Sequence, residues 1–310
     1  MLHGWIILDK PLGLGSTSAV SAVKRALREA GEPKTKVGHG GTLDPLASGV
    51  LPIALVEATK LAGQMLDATK AYDFTIAFGT QTDTLDLEGK VIVTSDVRPT
   101  LAEIEATLPR FTGPIEQVPP AYSALKVDGE RAYDLARKGV EVELKPRSVT
   151  IFALCVSASL CEQKTLAQRR GDAEKTDQIT LSATVSKGTY IRSLARDIAI
   201  ALSTVGHVTM LRRTKAGPFT LETAISLDKL ADAAKARALT RMVLPLAAGL
   251  DDIPALPVTS DQARLLRQGQ MLFGIPAMPG SYLACVAETP VALVEVSDDR
   301  LAKVVRGFNL

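Results

Sequence analysis

Gly38-His39-Gly40-Gly41-Thr42-Leu43-Asp44-Pro45-Leu46-Ala47-Ser48-Gly49-Val50-Leu51-Pro52 sets one carboxylate, Asp44, in a loop crowded with glycine and bracketed by prolines. Asp44 is the only acidic residue from Val37 to Val56. Glycine reaches backbone angles closed to other residues and lets a ligand come close, while proline fixes the chain beside it. Taken alone, an Asp-Pro step reads as a turn or as the cap of the following helix. Its setting in the rest of the chain changes that balance.

Upstream, Trp5 to Leu8 is a short apolar run ending in the turn Pro11 to Gly15, which predicts a strand. Thr17 or Ser18 is the expected cap of a helix with Val20, Val23 and Leu27 on one face, ended by Gly31. Downstream, Leu51 to Val56 reads as a buried strand and Ala58 to Leu66 as a helix. Tyr72, Phe74, Ile76 and Phe78 alternate and share one face of a strand. Val91 to Val93 continues the β character, and Leu101 to Leu108 and Ala132 to Lys138 carry helical spacing. Val140 to Leu144, Val149 to Val156, Ile179 to Val185 and Val208 to Leu211 read as strands, and Ile191 to Leu202 as an amphipathic helix. Residues 160–177 are polar and are expected to form a surface insertion, since that composition buries little.

Strands with intervening helices but no strict βαβ alternation predict an α+β fold with a mixed, largely antiparallel sheet. Near Leu250 the texture changes, and Pro254 and Pro257 are expected to mark a linker. A short helix at Gln262 to Arg267 and strands at Tyr282 to Val286, Val291 to Val296 and Leu301 to Val305 then suggest a small β-rich unit. The expected division is a main domain over residues 1–250 and an appendage over residues 251–310.

The chain has 310 residues, 46% hydrophobic and 23% charged, which is ordinary for a globular protein. A net charge of +2 does not announce a nucleic-acid binder, but its distribution does more. From Leu160 to Thr220 there are ten Lys/Arg against five Asp/Glu, among them Arg192, Arg196, Arg212, Arg213 and Lys215. Local basic clusters are what bind phosphate. Cys155, Cys161 and Cys285 have no metal-ligand spacing and are odd in number, so reduced thiols and a cytoplasmic location are expected. His3, His39 and His207 lie too far apart to suggest zinc. Neither a secretory signal nor a membrane-spanning apolar run is expected.

The Asp44 string resembles the catalytic loop of the bacterial tRNA pseudouridine synthases of the TruB family, which isomerise the uridine at position 55 in the T-loop. Gly4-Trp5-Ile6-Ile7-Leu8-Asp9-Lys10-Pro11-Leu12-Gly13 is similar to the family's opening strand and Lys-Pro turn. Pro119 to Lys126, Ser186 to Leu194 and Gly206 to Thr214 resemble three further family segments, in the family's order. Gly40 stands where the family more often has threonine, Ser48 replaces another threonine, and Gly15 replaces a small hydroxyl residue. Gly40 is expected to loosen the loop, since glycine loses most backbone entropy on ordering.

The resemblance implies a pseudouridine synthase catalytic domain with a C-terminal domain of the PUA-like, RNA-binding kind. It implies Asp44 as nucleophile, whether at C1′, at the base ring or along a glycal route. Arg192 would be its partner, because a guanidinium favours and aims a neighbouring carboxylate. Tyr72 would stack on the uracil or take the C5 proton; as a bare residue it is equally a core tyrosine on the Phe74 and Phe78 face. Tyr190 and Leu211 would line the base pocket. His39 would fill the place left by a flipped base, while as a bare residue it is equally a loop histidine bonded to nearby backbone, and Lys10 would hold a phosphate or position the Asp44 loop. No cofactor or metal is implied. The expected partner is the T-stem-loop of tRNA, with no membrane, no obligatory protein partner and a monomeric state. Two other readings stand beside this one: a guide-RNA-dependent pseudouridine synthase, and a tRNA-binding folding factor. The Pro119 to Lys126 segment favours the stand-alone form over the first, and the presence of both Asp44 and Arg192 favours catalysis over the second.

Overall fold

The computed structural model describes residues 2–123, 125–127, 129–140, 144–157, 175–250 and 253–310. Strand β1 (Gly4–Lys10) leads to helix α1 (Ser16–Glu29), and β2 (Val37–His39) and β3 (Ala47–Leu55) bracket the Asp44 loop. Next come α2 (Ala62–Asp67), β4 (Lys70–Phe78), β5 (Thr80–Thr82), β6 (Val91–Thr94), α3 (Leu101–Thr107) and β7 (Gly113–Gln117). They are followed by β8 (Lys126–Val127), β9 (Glu130–Arg131), α4 (Ala132–Arg137), β10 (Arg147–Val156), β11 (Gln178–Val185) and α5 (Ile191–Ala201). Strands β12 (Gly206–Ala216) and β13 (Phe219–Thr220) and helix α6 (Leu227–Lys235) complete the first part. The C-terminal part holds β14 (Ala255–Pro257), α7 (Ser260–Arg267), β15 (Gly280–Val286), β16 (Thr289–Val296) and β17 (Ala302–Gly307).

Among the described residues the main sheet runs β1-β3-β12-β4-β11-β10-β7, with β2 on β3 and β13 on β12. Its pairings are antiparallel except β3 with β12, where Leu211 faces Ala47 and Arg213 faces Gly49. The fold is therefore α+β with a mixed, largely antiparallel sheet, as expected.

Strand periodicity divides the core. In β1, Ile6 and Leu8 join the cluster under α1, while Trp5 and Ile7 face a second cluster with Phe219 and Phe308. In β3, Leu51, Ile53 and Leu55 take the first side and Val50 and Ala54 the other. Successive side chains of a strand point to opposite faces, so a strand covered on both faces is apolar throughout. Phe74, Ile76 and Phe78 of β4 pack with Leu181 and Val185 of β11 and with Leu194 and Ile198 of α5. Tyr72 lies partly buried at the end of that row.

Several expectations need correction. The cap of α1 is Gly15, which makes no side-chain cap, rather than Thr17 or Ser18. Ser16 turns inward instead, accepting from the Leu43 N–H at 2.8 Å and donating to its carbonyl at 3.0 Å. Val91 to Val93 does have the β character expected of it, in a separate ribbon with Thr80 to Thr82. Pro254 to Pro257 is no linker: β14 runs parallel to β15 at the edge of the C-terminal sheet. An edge strand tolerates Pro257, which has no N–H to donate. Most of the strand expected at Val140 to Leu144 and of the insertion expected at 160–177 lies outside the described residues. Among the described residues no helix is long and apolar enough to cross a membrane.

Candidate active site

The Asp44 loop is tied down at almost every residue. Gly40 donates to the Pro52 carbonyl at 2.8 Å, Leu43 is held by Ser16, and Gly13 donates to the Pro45 carbonyl at 2.9 Å. Lys10, fully buried, donates to the carbonyls of Leu14 at 2.7 Å, Pro11 at 3.0 Å and Pro45 at 3.3 Å. An ammonium has three N–H donors, so all of them are committed to carbonyls. Of the two roles expected for Lys10, this geometry fits loop positioning and leaves no donor for a phosphate. Burial pushes its pKa down to about 8, with Asp44 opposing and Arg213 adding to the fall. Arg213, 1% exposed, donates Nε to the Val50 carbonyl at 2.7 Å and lies beside the Gly41 and Thr42 carbonyls.

Arg192 meets Asp44 at the mouth of this loop. It is the second residue of α5 and 6% exposed. Its Nη2 lies 2.9 Å from Asp44 Oδ2, and the Asp44 side chain remains 41% exposed. Nη1 donates to the Thr84 carbonyl at 2.7 Å and Nη2 to the Tyr122 carbonyl at 3.0 Å. A second carboxylate, Asp86, stands 3.3 Å from Nη1. Asp86 is fixed in turn by the Thr84 hydroxyl at 2.5 Å and the Glu88 N–H at 3.0 Å. Charge-assisted bonds to a planar guanidinium set direction as well as energy. Asp86 therefore aims Arg192 from the side away from Asp44.

Around the pair opens a cleft of about 920 Å³ lined by Asp44, Tyr72, Tyr190, Arg192 and Leu211. The sheet brings them together. In β12, Leu211 pairs with Phe74 and Arg213 with Tyr72 across β4, while Leu211 also meets Ala47 of β3. Tyr190 precedes α5, and its N–H donates to Gln117 Oε1 at 2.8 Å. Burial pushes the Tyr190 hydroxyl up, opposed by the neighbouring Ser123 hydroxyl and Arg147. His39 and Lys10 do not line this cleft. His39 ends β2 with its Nδ1 buried and unpartnered, and burial followed by Arg213 pushes its pKa down.

The sequence reading missed Asp86, Lys70 and Arg147, and it read Arg213 as part of a phosphate-binding basic cluster, whereas Arg213 is buried against backbone carbonyls. Asp86 sits beside Leu85, which has a φ of +63°, in a turn between β5 and β6 that carried no motif. Lys70 is buried in the cleft wall, donating to the Leu66 carbonyl at 2.5 Å and the Ala68 carbonyl at 2.6 Å. Burial and then Arg213 push its pKa down to about 8. Among the described residues no group of three or more His, Cys, Asp or Glu is placed to hold a metal ion.

Residues 24–191 match the model of the TruB family pseudouridylate synthase (N terminal domain). Residues 192–251 match the tRNA pseudouridylate synthase B C-terminal domain. The sheet from Ala255 to Gly307 lies beyond both matches. The chain is 62% identical over 310 residues to tRNA pseudouridine synthase B of Novosphingobium aromaticivorans, covering 100% of this chain and 98% of that protein. It is 59% identical to the protein of the same name from Zymomonas mobilis, covering 99% of this chain and 96% of that one. Among solved structures it superposes on a chain from an H/ACA RNP bound to a substrate RNA containing 2′-deoxyuridine. That match has a TM-score of 0.71 at 23% identity and covers 99% of this chain and 86% of that chain, a likeness of fold.

Proposed function

This chain belongs to the TruB family of pseudouridylate synthases, and from that premise we propose that it isomerises the uridine at position 55 of the tRNA T-loop, with Asp44 as nucleophile and the base flipped out. That it is a pseudouridine synthase acting on tRNA follows from its family and from relatives named for that activity. The position, the nucleophile and the flipping are our reading.

The observation that carries the reading is the Asp44–Arg192 ion pair of 2.9 Å inside a cleft walled by Tyr72, Tyr190 and Leu211. In the isomerisation the bond between C1′ and N1 breaks, the uracil turns while held, C5 bonds to C1′, and the proton lost from C5 is matched by one gained at N1. Nothing is oxidised and no group leaves. The reaction asks for a carboxylate fixed in place and a pocket that keeps the freed base. Arg192 holds one oxygen of Asp44, and Oδ1 makes no hydrogen bond among the described residues. Tyr72 is assigned to stack on the uracil and take the C5 proton, with Tyr190 and Leu211 as the other walls. Extruding a stacked base costs a few kcal/mol, and His39, on the same loop, is assigned to the vacated place. Lys10 keeps the loop in position. The C-terminal sheet is assigned to hold tRNA as a PUA-like clamp, with the protein acting as a monomer and needing no guide.

The test is incubation of the purified chain with unmodified tRNA transcript, without guide RNA, followed by mapping of pseudouridine. Pseudouridine at position 55 is expected from the parent chain and none from Asp44→Asn, which should still fold and bind tRNA. Appreciable turnover by Asp44→Asn removes the nucleophile assignment.

A further inference from the structure

Arg147 opens β10 and lines the cleft, yet the proposed chemistry gives it no task. Its backbone pairs with Gln117 of β7, the same residue whose side chain holds the Tyr190 N–H. Its Cζ lies 5.9 Å from the centre of the Tyr190 ring, near enough for the cation to be held by the ring. On another side is the turn at Gly188, where a Cβ would meet Arg147 Nη1 at 3.6 Å. The guanidinium is thus placed by ring and turn and not by an acid.

Other arginines of this region are spoken for. Arg192 pairs with Asp44 and Asp86, Arg212 grips both oxygens of Asp9 at 3.0 and 2.8 Å, and Arg196 pairs with Asp197 at 2.8 Å. Arg213 is buried against carbonyls. Among the described residues no carboxylate comes within ion-pair distance of Arg147, and none of its N–H groups donates a hydrogen bond. A half-buried guanidinium with idle donors on the wall of a cleft is a site for an anion. Its planar fork matches two oxygens of a phosphate. Beside it, Lys187 pairs with Asp67 at 3.1 Å and Lys70 donates to two carbonyls, so among the described residues lining the cleft Arg147 is the cation with neither an ion pair nor a hydrogen bond.

We infer that Arg147 is a phosphate anchor of the cleft, gripping one backbone phosphodiester of the RNA strand whose uridine lies against Tyr190. This rests on the reading that the cleft takes a nucleotide of tRNA. An anchor at the rim fixes the strand while the base is turned inside.

The test uses the full chain and an unmodified tRNA transcript, with affinity measured over a range of salt concentrations. Arg147→Met keeps an apolar stem over Tyr190 and loses the charge. It should weaken binding roughly tenfold or more. It should also lower the slope of log affinity against log salt by about 0.7 to 0.9, the share of one phosphate contact. Arg147→Lys should keep the slope while losing part of the affinity, since it keeps the charge and not the fork. A slope unchanged in Arg147→Met, with turnover lowered, would overturn the anchor and leave Arg147 as packing for Tyr190. These slopes are read from binding alone. A parent chain that binds tRNA but forms no pseudouridine would sink the catalytic reading, and the slope would still decide the anchor.

Discussion

Tyr72 stands where the cleft wall and a hydrophobic core meet, and the two roles proposed for it come apart on substitution. It continues the row of Phe74, Ile76 and Phe78 and also lines the cleft with Asp44. Tyr72→Phe keeps the ring, so stacking on the base, worth ~1–3 kcal/mol, should persist. Near-parental tRNA affinity with a large fall in single-turnover rate is expected. A rate equal to the parent's would leave Tyr72 as a platform only. Lys10 makes a different prediction, in pH. Its folded pKa is about 8 because burial disfavours the ammonium, against about 10.4 in an unfolded chain. Between those values the unfolded state holds a proton that the folded state has released. Stability contributed at this site therefore rises with pH from about 8 to about 10.4 and is lost as pH falls back through 8. Unfolding of the parent and of Lys10→Met, followed across that window, should differ increasingly in the parent's favour. A constant difference would mean that the ammonium is not perturbed.

At the scale of elements, much of the site was written in local pattern. The alternation from Tyr72 to Phe78, the apolar run from Leu51 and the amphipathic spacing after Ile191 each became the expected element. The Asp44 loop was legible because glycines and prolines mark a shaped turn in any context. What stayed hidden were contacts between distant segments. Asp86 reaches Arg192 across about a hundred residues of chain, and Arg213 grips carbonyls of a loop far upstream. Gly40 shows the same limit. It was expected to loosen the loop, but it is buried, and a Cβ there would come within 2.7 Å of Met65 Cβ on α2. The glycine lets helix and loop touch. Gly40→Thr, which installs the residue more usual in the family, should destabilise by roughly 1–3 kcal/mol through overpacking. The cost should shrink in a Met65→Gly background, as read from a double-mutant cycle of unfolding free energies. Equal costs in both backgrounds would show that Met65 is not the obstacle.

At the scale of the whole molecule, the question is whether the C-terminal sheet is an appendage or part of the body. A shift of texture near Leu250 suggested a separable unit behind a linker. The packing is otherwise. Leu283, Cys285, Leu293 and Phe308 share a core with Trp5, Ile7, Val50 and Phe219 of the main sheet. The seam is polar as well as apolar: Lys60 donates to the Gly307 carbonyl at 2.9 Å, and Asn309 donates its N–H to Glu57 Oε2 at 2.8 Å. Trp5 and Ile7 belong to β1, which also runs into the Lys10 turn beneath the Asp44 loop. Removing the chain from Pro254 onward would uncover that apolar face and unsettle the strand that supports the Asp44 loop. The truncated chain should therefore lose thermal stability and aggregate, not survive as a catalytic domain with weaker tRNA binding. Phe308→Ala is the gentler probe, since Phe308 is 1% exposed and sits in the seam. It should cost roughly 3–5 kcal/mol, with one cooperative unfolding transition for the whole chain. A second transition at low temperature, with the main sheet melting as in the parent, would show that the two sheets fold independently and that the seam is only a contact.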